Sequence, residues 1–248
     1  MPNQKQMQRT ITKPFEIFTK MSTSVCIWLN GEPTAIGKRA ENLWNSAKYR
    51  VATDGAINAI LKRKESVEWP HVICGDFDSM EAGIDTRNAK LLHLPDQDHT
   101  DLTKTIQWCL EQLSENQWKF EGILVLGGLN GRFDHTMSTL STLIHFLKAA
   151  TPIIVADAYN MVLALPQGTS EIHVELEKTS KMCGVIPITQ KETIVTSKGL
   201  KYEMELSANL PLAFGKLIST SNEVTTNQIS LQSTAPLIFT IELIHNQC

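Results

Sequence analysis

Paired cysteines are missing from this 248-residue chain: it has five, Cys26, Cys74, Cys109, Cys183 and Cys248, scattered singly and odd in number. No two stand in CxxC spacing, which removes the usual zinc frameworks and any disulfide scaffold from consideration. Asn-x-Ser/Thr acceptors are absent too, as expected of life in a reducing compartment, here taken to be the cytoplasm. No apolar run approaches the roughly 18–20 residues that a membrane span needs. Basic charge is not in excess either. The formal charge is −3, so no broad cationic surface for nucleic acid is implied. A phosphate-bearing partner would instead be a small molecule gripped locally, with a metal ion.

Several familiar signatures are also lacking. No Gly-x-Gly-x-x-Gly follows the first apolar run, where Trp28-Leu29-Asn30-Gly31-Glu32 stands instead, which argues against a nicotinamide-dependent oxidoreductase. Gly31 to Lys38 imitates a phosphate-binding Walker loop, but it has one residue too many and Arg39 where Ser or Thr is required. There is no Gly-x-Ser-x-Gly nucleophile elbow, no internal repeat and no low-complexity segment.

What is present is a chain of two characters. From Val25 to about Leu165, short apolar runs alternate with amphipathic stretches. Strands are expected at Val25–Asn30, Arg50–Thr53, His71–Gly75, Lys90–Leu94, Gly122–Gly127 and Ile153–Asp157. Leu102, Ile106, Leu110 and Leu113 recur at helical spacing, as do Phe133, Met137, Leu140, Ile144 and Leu147. Interleaved strands and helices predict an α/β domain over 24–167, with a mostly parallel sheet covered on both faces. After Pro166-Gln167-Gly168 the helical period stops. Short strands separated by polar turns predict an all-β sandwich or barrel over 168–248. Residues 1–23, with Lys5, Arg9, Lys13 and Lys20 against Glu16 alone, read as a disordered polar extension.

Chemistry gathers at the ends of the expected strands. Cys74-Gly75-Asp76-Phe77-Asp78-Ser79 places two carboxylates one residue apart after a strand, where they can converge on a hard cation such as Mg²⁺. The same residue types also suit a plain turn. Asp96-Gln97-Asp98-His99-Thr100-Asp101 crowds three carboxylates into six residues, a repulsion that a cation would offset. Thr100 or Asp101 can also serve as a helix cap, which accounts for one acid but not three. Gly127-Gly128-Leu129-Asn130-Gly131-Arg132-Phe133-Asp134 lets backbone amides approach a phosphate, with Arg132 able to grip it in bidentate fashion. A glycine-rich strand-to-helix turn with an exposed Arg is the alternative. Asp54-Gly55 repeats the pattern at a fourth strand end.

Taken in order, these three motifs resemble those of the thiamine pyrophosphokinase family. Gly199-Leu200-Lys201-Tyr202 and Ser219-Thr220-Ser221-Asn222 in the β-rich part extend the similarity from Val25 to Leu243. The resemblance implies Mg²⁺-dependent transfer of diphosphate from ATP to the hydroxyl of thiamine, giving thiamine diphosphate and AMP. It implies that Asp76, Asp78 and Asp101 hold the metal and act in catalysis. Asp54, Gly128, Arg132, Asp134 and Lys104 would serve the nucleotide. Gln97, Tyr202, Ser219, Ser221 and Asn222 would face thiamine. It further implies a homodimer whose thiamine sites are completed by the β-domain of the other subunit.

Two departures lie on the thiamine side. Tyr202 stands where the family usually has Trp, and Glu223-Val224-Thr225-Thr226-Asn227 replaces a Gly-rich turn. Tyr still offers a ring to a cationic ligand. A related chain that binds nucleotide or thiamine without turnover is the alternative, and the full set Asp76, Asp78 and Asp101 argues against it.

Overall fold

The computed structural model describes residues 9–30, 37–81 and 83–244. Most of the Walker-like stretch, Cys248 and the start of the N-terminal extension lie outside the described residues. The chain divides into two compact units.

The first described residues form strand β1 (Arg9–Thr12) and a short helix α1 (Glu16–Thr19), followed by a 3₁₀ turn at Met21–Thr23. The expected disorder over 1–23 is therefore corrected for residues 9–23. The reason is apolar anchoring: Phe15, Ile17 and Met21 are buried, and a short segment rich in Lys conceals them from a reading based on charge.

One unit comprises Ile17–Thr142 and Ala149–Tyr159. It contains β2 (Val25–Trp28), β3 (Tyr49–Thr53), β4 (Val72–Gly75), β5 (Lys90–His93), β6 (Ile123–Leu126) and β7 (Ile153–Ala156), with helices α2 (Lys38–Ser46), α3 (Ala56–Lys62), α4 (Asp101–Ser114) and the larger part of α5 (Phe133–His145). The strands lie in the order β7-β6-β2-β3-β4-β5, each parallel to its neighbour. β2, β4 and β6 are buried at every position, as central strands of a parallel sheet must be, so their sequences read as unbroken apolar runs. β5 at the sheet edge is largely exposed. The chain leaves β2 toward β3 on one side and returns to β6 on the other. That reversal opens a crevice at the carboxyl ends of the strands, the usual ligand position in open α/β sheets. α4 buries Leu102, Thr105, Ile106 and Cys109, spaced for one helical face. Its cap is Thr100, whose hydroxyl accepts the Thr103 amide.

The other unit joins the described part of Met1–Glu16 to Leu143–Lys148 and Asn160–His245. Its strands are β1, β8 (Asn160–Leu165), β9 (Gly168–His173), β10 (Thr179–Ile186), β11 (Val195–Lys198), β12 (Ser219–Glu223), β13 (Gln228–Ser233) and β14 (Leu237–Leu243). They run in the orders β1-β9-β13-β11 and β12-β10-β14-β8. All these pairings are antiparallel except β1 with β9. β9 and β13 alternate buried with exposed or half-buried residues, the period-two signature of half-covered strands. The α/β-then-β architecture is as expected, but the boundary differs. β8 pairs with β14 from Asn160↔Glu242 to Leu165↔Leu237, so the β-rich unit resumes at Asn160 rather than 168. Local composition does not reveal a boundary set by a strand from the far end of the chain.

Candidate active site

The site begins with Gly75. Its φ is 151°, and a Cβ built there would stand 2.7 Å from Asp54 Cγ. Only glycine lets the β4 turn come this close to the end of β3. Past it, Phe77 takes a left-handed φ of 69°, a conformation that costs an ordinary residue about 1–2 kcal/mol. In return its amide donates to Asp54 Oδ2 at 3.0 Å, while the Gly55 amide donates to Oδ1 at 2.7 Å.

Asp54, Asp76 and Asp78 each bring one carboxylate oxygen within 4.8 Å of the others. Asp76 accepts the Asp78 amide at 3.2 Å and the Gln97 side-chain amide at 3.2 Å. Asp78 accepts the Ser79 hydroxyl at 2.9 Å. Burial pushes the Asp54 carboxyl above the usual aspartate range, and the charges of Asp101 and Asp76 push the same way against the Gly55 hydrogen bond. Asp76 is held below that range, chiefly by the Asp78 amide and also by Gln97. Two half-buried or exposed acids facing a buried third, with repulsion raising the buried one, make an oxygen-only cage suited to a small divalent cation.

Asp101, expected to hold the metal, lies outside this group of three, and Asp54 lies within it. Asp101 lies in the first turn of α4 and is paired with Lys104 Nζ at 2.9 Å. Lys104 is placed beside it. Expected on a phosphate, it instead donates to Leu94 O at 2.9 Å and Asp96 O at 3.0 Å in addition to Asp101, with its side chain only 8% exposed. The two bonds to carbonyls pin the segment just after β5 to α4, and the third stays within the helix.

Most of these residues, though not Asp78, line a cleft of about 250 Å³. Asp54, Asp76, Gln97, Asp101, Lys104 and Gly128 contribute to it, together with Asn30, Thr53, His99, Thr100, His135 and Thr139, to which the sequence assigned no site role. Asn30 and Thr53 follow from their places at strand ends. His135 and Thr139 depend on how α5 packs, which no local pattern discloses. At Gly128 a Cβ would meet Thr139 Oγ1 at 2.7 Å and Leu29 Cδ1 at 2.8 Å, so this glycine seats α5 against the strand ends. Arg132 and Asp134 are outside the lining. They pair with one another, Nε to Oδ1 at 3.1 Å and Nη2 to Oδ2 at 2.5 Å, and the pairing holds Asp134 below and Arg132 above their ordinary ranges.

In the β-rich unit, Tyr202, Ser219, Ser221 and Asn222 are brought together. The Tyr202 ring is 63% exposed. Asn222, expected to face thiamine, is 2% exposed, and its amide is already engaged. It accepts the Tyr202 amide at 3.1 Å, donates to Tyr202 O at 2.9 Å and to Ser219 Oγ at 3.3 Å. Asn222 thus fixes the backbone beneath the exposed ring. Ser221 takes a left-handed φ of 56° and is exposed. Lys201 Nζ lies 5.9 Å from the Tyr202 ring centre and is tied to Glu223 at 2.8 Å.

Residues 40–155 match the thiamin pyrophosphokinase catalytic domain, and residues 169–238 match the thiamin pyrophosphokinase vitamin B1 binding domain. Thiamin pyrophosphokinase 1 of Caenorhabditis elegans is 70% identical over 231 residues, covering 93% of this chain and 94% of the relative. The chain belongs to the thiamin pyrophosphokinase family. A plant member, thiamine pyrophosphokinase 1 of Oryza sativa subsp. japonica, is 30% identical, with 81% of each chain covered. Among solved structures, thiamin pyrophosphokinase from Candida albicans superimposes with a TM-score of 0.80 at 21% identity, covering 95% of this chain and 93% of that one. The yeast thiamin pyrophosphokinase gives 0.79 at 18% identity, with 98% and 94% covered. At such identities the likeness establishes the family fold. The aspartate cluster falls in the segment matching the catalytic domain, and Tyr202 to Asn222 in the vitamin-binding segment. Among the described residues no helix is long and apolar enough to cross a membrane.

Proposed function

We propose that this chain transfers the diphosphate of ATP to the hydroxyl of thiamine, releasing AMP and thiamine diphosphate, with Mg²⁺ held by Asp54, Asp76 and Asp78. The observation that carries this reading is the convergence of those three acids at the carboxyl edge of the sheet in a member of this family. When bound, Mg²⁺ would neutralise phosphate charge and orient the diphosphate. The protein's own groups do the rest. Arg132 exchanges its partner Asp134 for phosphate oxygens, freeing Asp134 to accept from a ribose hydroxyl. The Gly127–Gly131 turn admits the nucleotide close to the backbone at Gly128. Asp101, lining the same cleft, receives the proton of the thiamine hydroxyl, and Lys104 and Gln97 keep the surrounding carboxylates in place. Tyr202 stacks on the cationic ring of thiamine, with Ser219 and Ser221 beside it and Asn222 beneath.

The family resemblance supports a homodimer in which the vitamin-binding domain of one subunit completes the site of the other. Cys26, Cys74, Cys109 and Cys183 are buried free thiols, in keeping with the cytoplasm. The test is an end-point assay with ATP, Mg²⁺ and thiamine that resolves AMP, ADP and thiamine diphosphate. Equal amounts of AMP and thiamine diphosphate, abolished by EDTA, are expected. ADP in place of AMP, or saturable thiamine binding without any product, would overturn the reading.

A further inference from the structure

We infer that His93 is a positioning residue for the aspartate cluster and acts through the ring of Phe77. The inference rests on the metal reading above. Phe77 sits between Asp76 and Asp78 in a left-handed conformation that a phenylalanine does not choose by itself. That conformation is what directs its amide to Asp54 Oδ2. If Phe77 relaxed to an ordinary φ, the amide would leave Asp54 and the flanking acids would turn with the backbone. Something must hold the residue in place.

The support comes from β5. His93 is the register partner of Gly75, and the Leu94 amide donates to Gly75 O at 2.8 Å, so the strand end is tied to the start of the turn. From there the His93 ring stacks on Phe77, with centres 5.7 Å apart and planes 23° from parallel. Lys104 anchors the far side of the same strand end through Leu94 O and Asp96 O. A continuous path therefore runs from α4 through β5 and the two rings to Asp54. His93 is exposed and belongs to none of the motifs that carry the family resemblance, so packing of the core does not account for it. A ring stack is of the same order as the conformational cost it opposes.

The experiment titrates purified protein with Mn²⁺ alone, reading free Mn²⁺ by electron paramagnetic resonance, and separately measures the Mg²⁺ concentration for half-maximal turnover. His93→Ala is expected to weaken Mn²⁺ binding and raise the Mg²⁺ requirement by roughly three- to tenfold, the worth of one aromatic pair expressed as a binding ratio. The KM for thiamine should stay unchanged, and His93→Phe should restore metal binding. Wild-type Mn²⁺ affinity in His93→Ala would overturn the inference, as would failure of His93→Phe to rescue. Asp78→Asn serves as the control: if it too binds Mn²⁺ normally, the metal reading itself falls, an outcome distinct from failure at His93 alone.

Discussion

Asp78 is the cluster member whose role separates most cleanly from folding. It is exposed, and its side chain accepts the hydroxyl of the neighbouring Ser79, so Asp78→Asn removes charge without disturbing buried packing. Turnover should fall by at least about 100-fold, as when one electrostatic contact to a transferring group is lost, while the melting temperature stays within about 2 °C of wild type. Unimpaired turnover in a folded Asp78→Asn protein would remove it from the metal site. Asp54 and Asp76 predict a pH signature. Asp54 titrates high, so its contribution to the stability of the metal-free fold is present below the unfolded pKa and lost as pH rises through the folded value. Asp76 titrates low, and its contribution is present above the unfolded pKa and lost as pH falls through the folded value. Mg²⁺ requires both charged. The rise in melting temperature on adding Mg²⁺ should therefore shrink as pH falls, beginning above the ordinary aspartate pKa, where Asp54 takes up its proton. A Mg²⁺ effect of equal size at pH 7 and pH 4 would contradict this.

Among the elements, the β4 turn is the most tightly constrained. Gly75→Ala would drive a methyl into Asp54 Cγ and strain the backbone, so a loss of about 1–3 kcal/mol is expected in denaturant unfolding. Activity should fall further than stability alone explains; a wild-type unfolding midpoint would show that the close approach is dispensable. This turn also illustrates what local sequence can and cannot express. The Gly-Asp-x-Asp pattern announces a carboxylate site because its spacing and its place after a strand are both local. That Asp54 stands beside it depends on β3 and β4 lying side by side, a fact of pairing. The same holds for β8, whose apolar run is visible but whose allegiance to β14 is not. Asn222 is legible as a polar residue in a motif, and Lys104 through the resemblance. The carbonyls and amides they hold, at Leu94, Asp96 and Tyr202, emerge only from the fold.

For the whole molecule the decisive question is whether, in the homodimer proposed above, each site is shared between subunits. Tyr202→Ala should raise the KM for thiamine at least tenfold while leaving that for ATP near wild type, since the exposed ring is assigned to one substrate only. Mixing unfolded Tyr202→Ala and Asp78→Asn chains and refolding them together then tests the arrangement. If sites are shared across a homodimer, half the dimers are mixed and each mixed dimer has one unblemished site, so about a quarter of wild-type activity at low thiamine should return. Sites confined to single subunits would return none.

The pairing of β1 with β9 carries a consequence for the order of synthesis. Arg9 reaches Glu171 across 162 positions of chain, and β9 in turn depends on β13. At ribosomal speeds β1 emerges on the order of ten seconds or more before its partner. During that interval the α/β unit can emerge and close, while β1 waits uncommitted. Deleting residues 9–12 should therefore spare the formation of the parallel sheet and be felt late, in the β-rich unit.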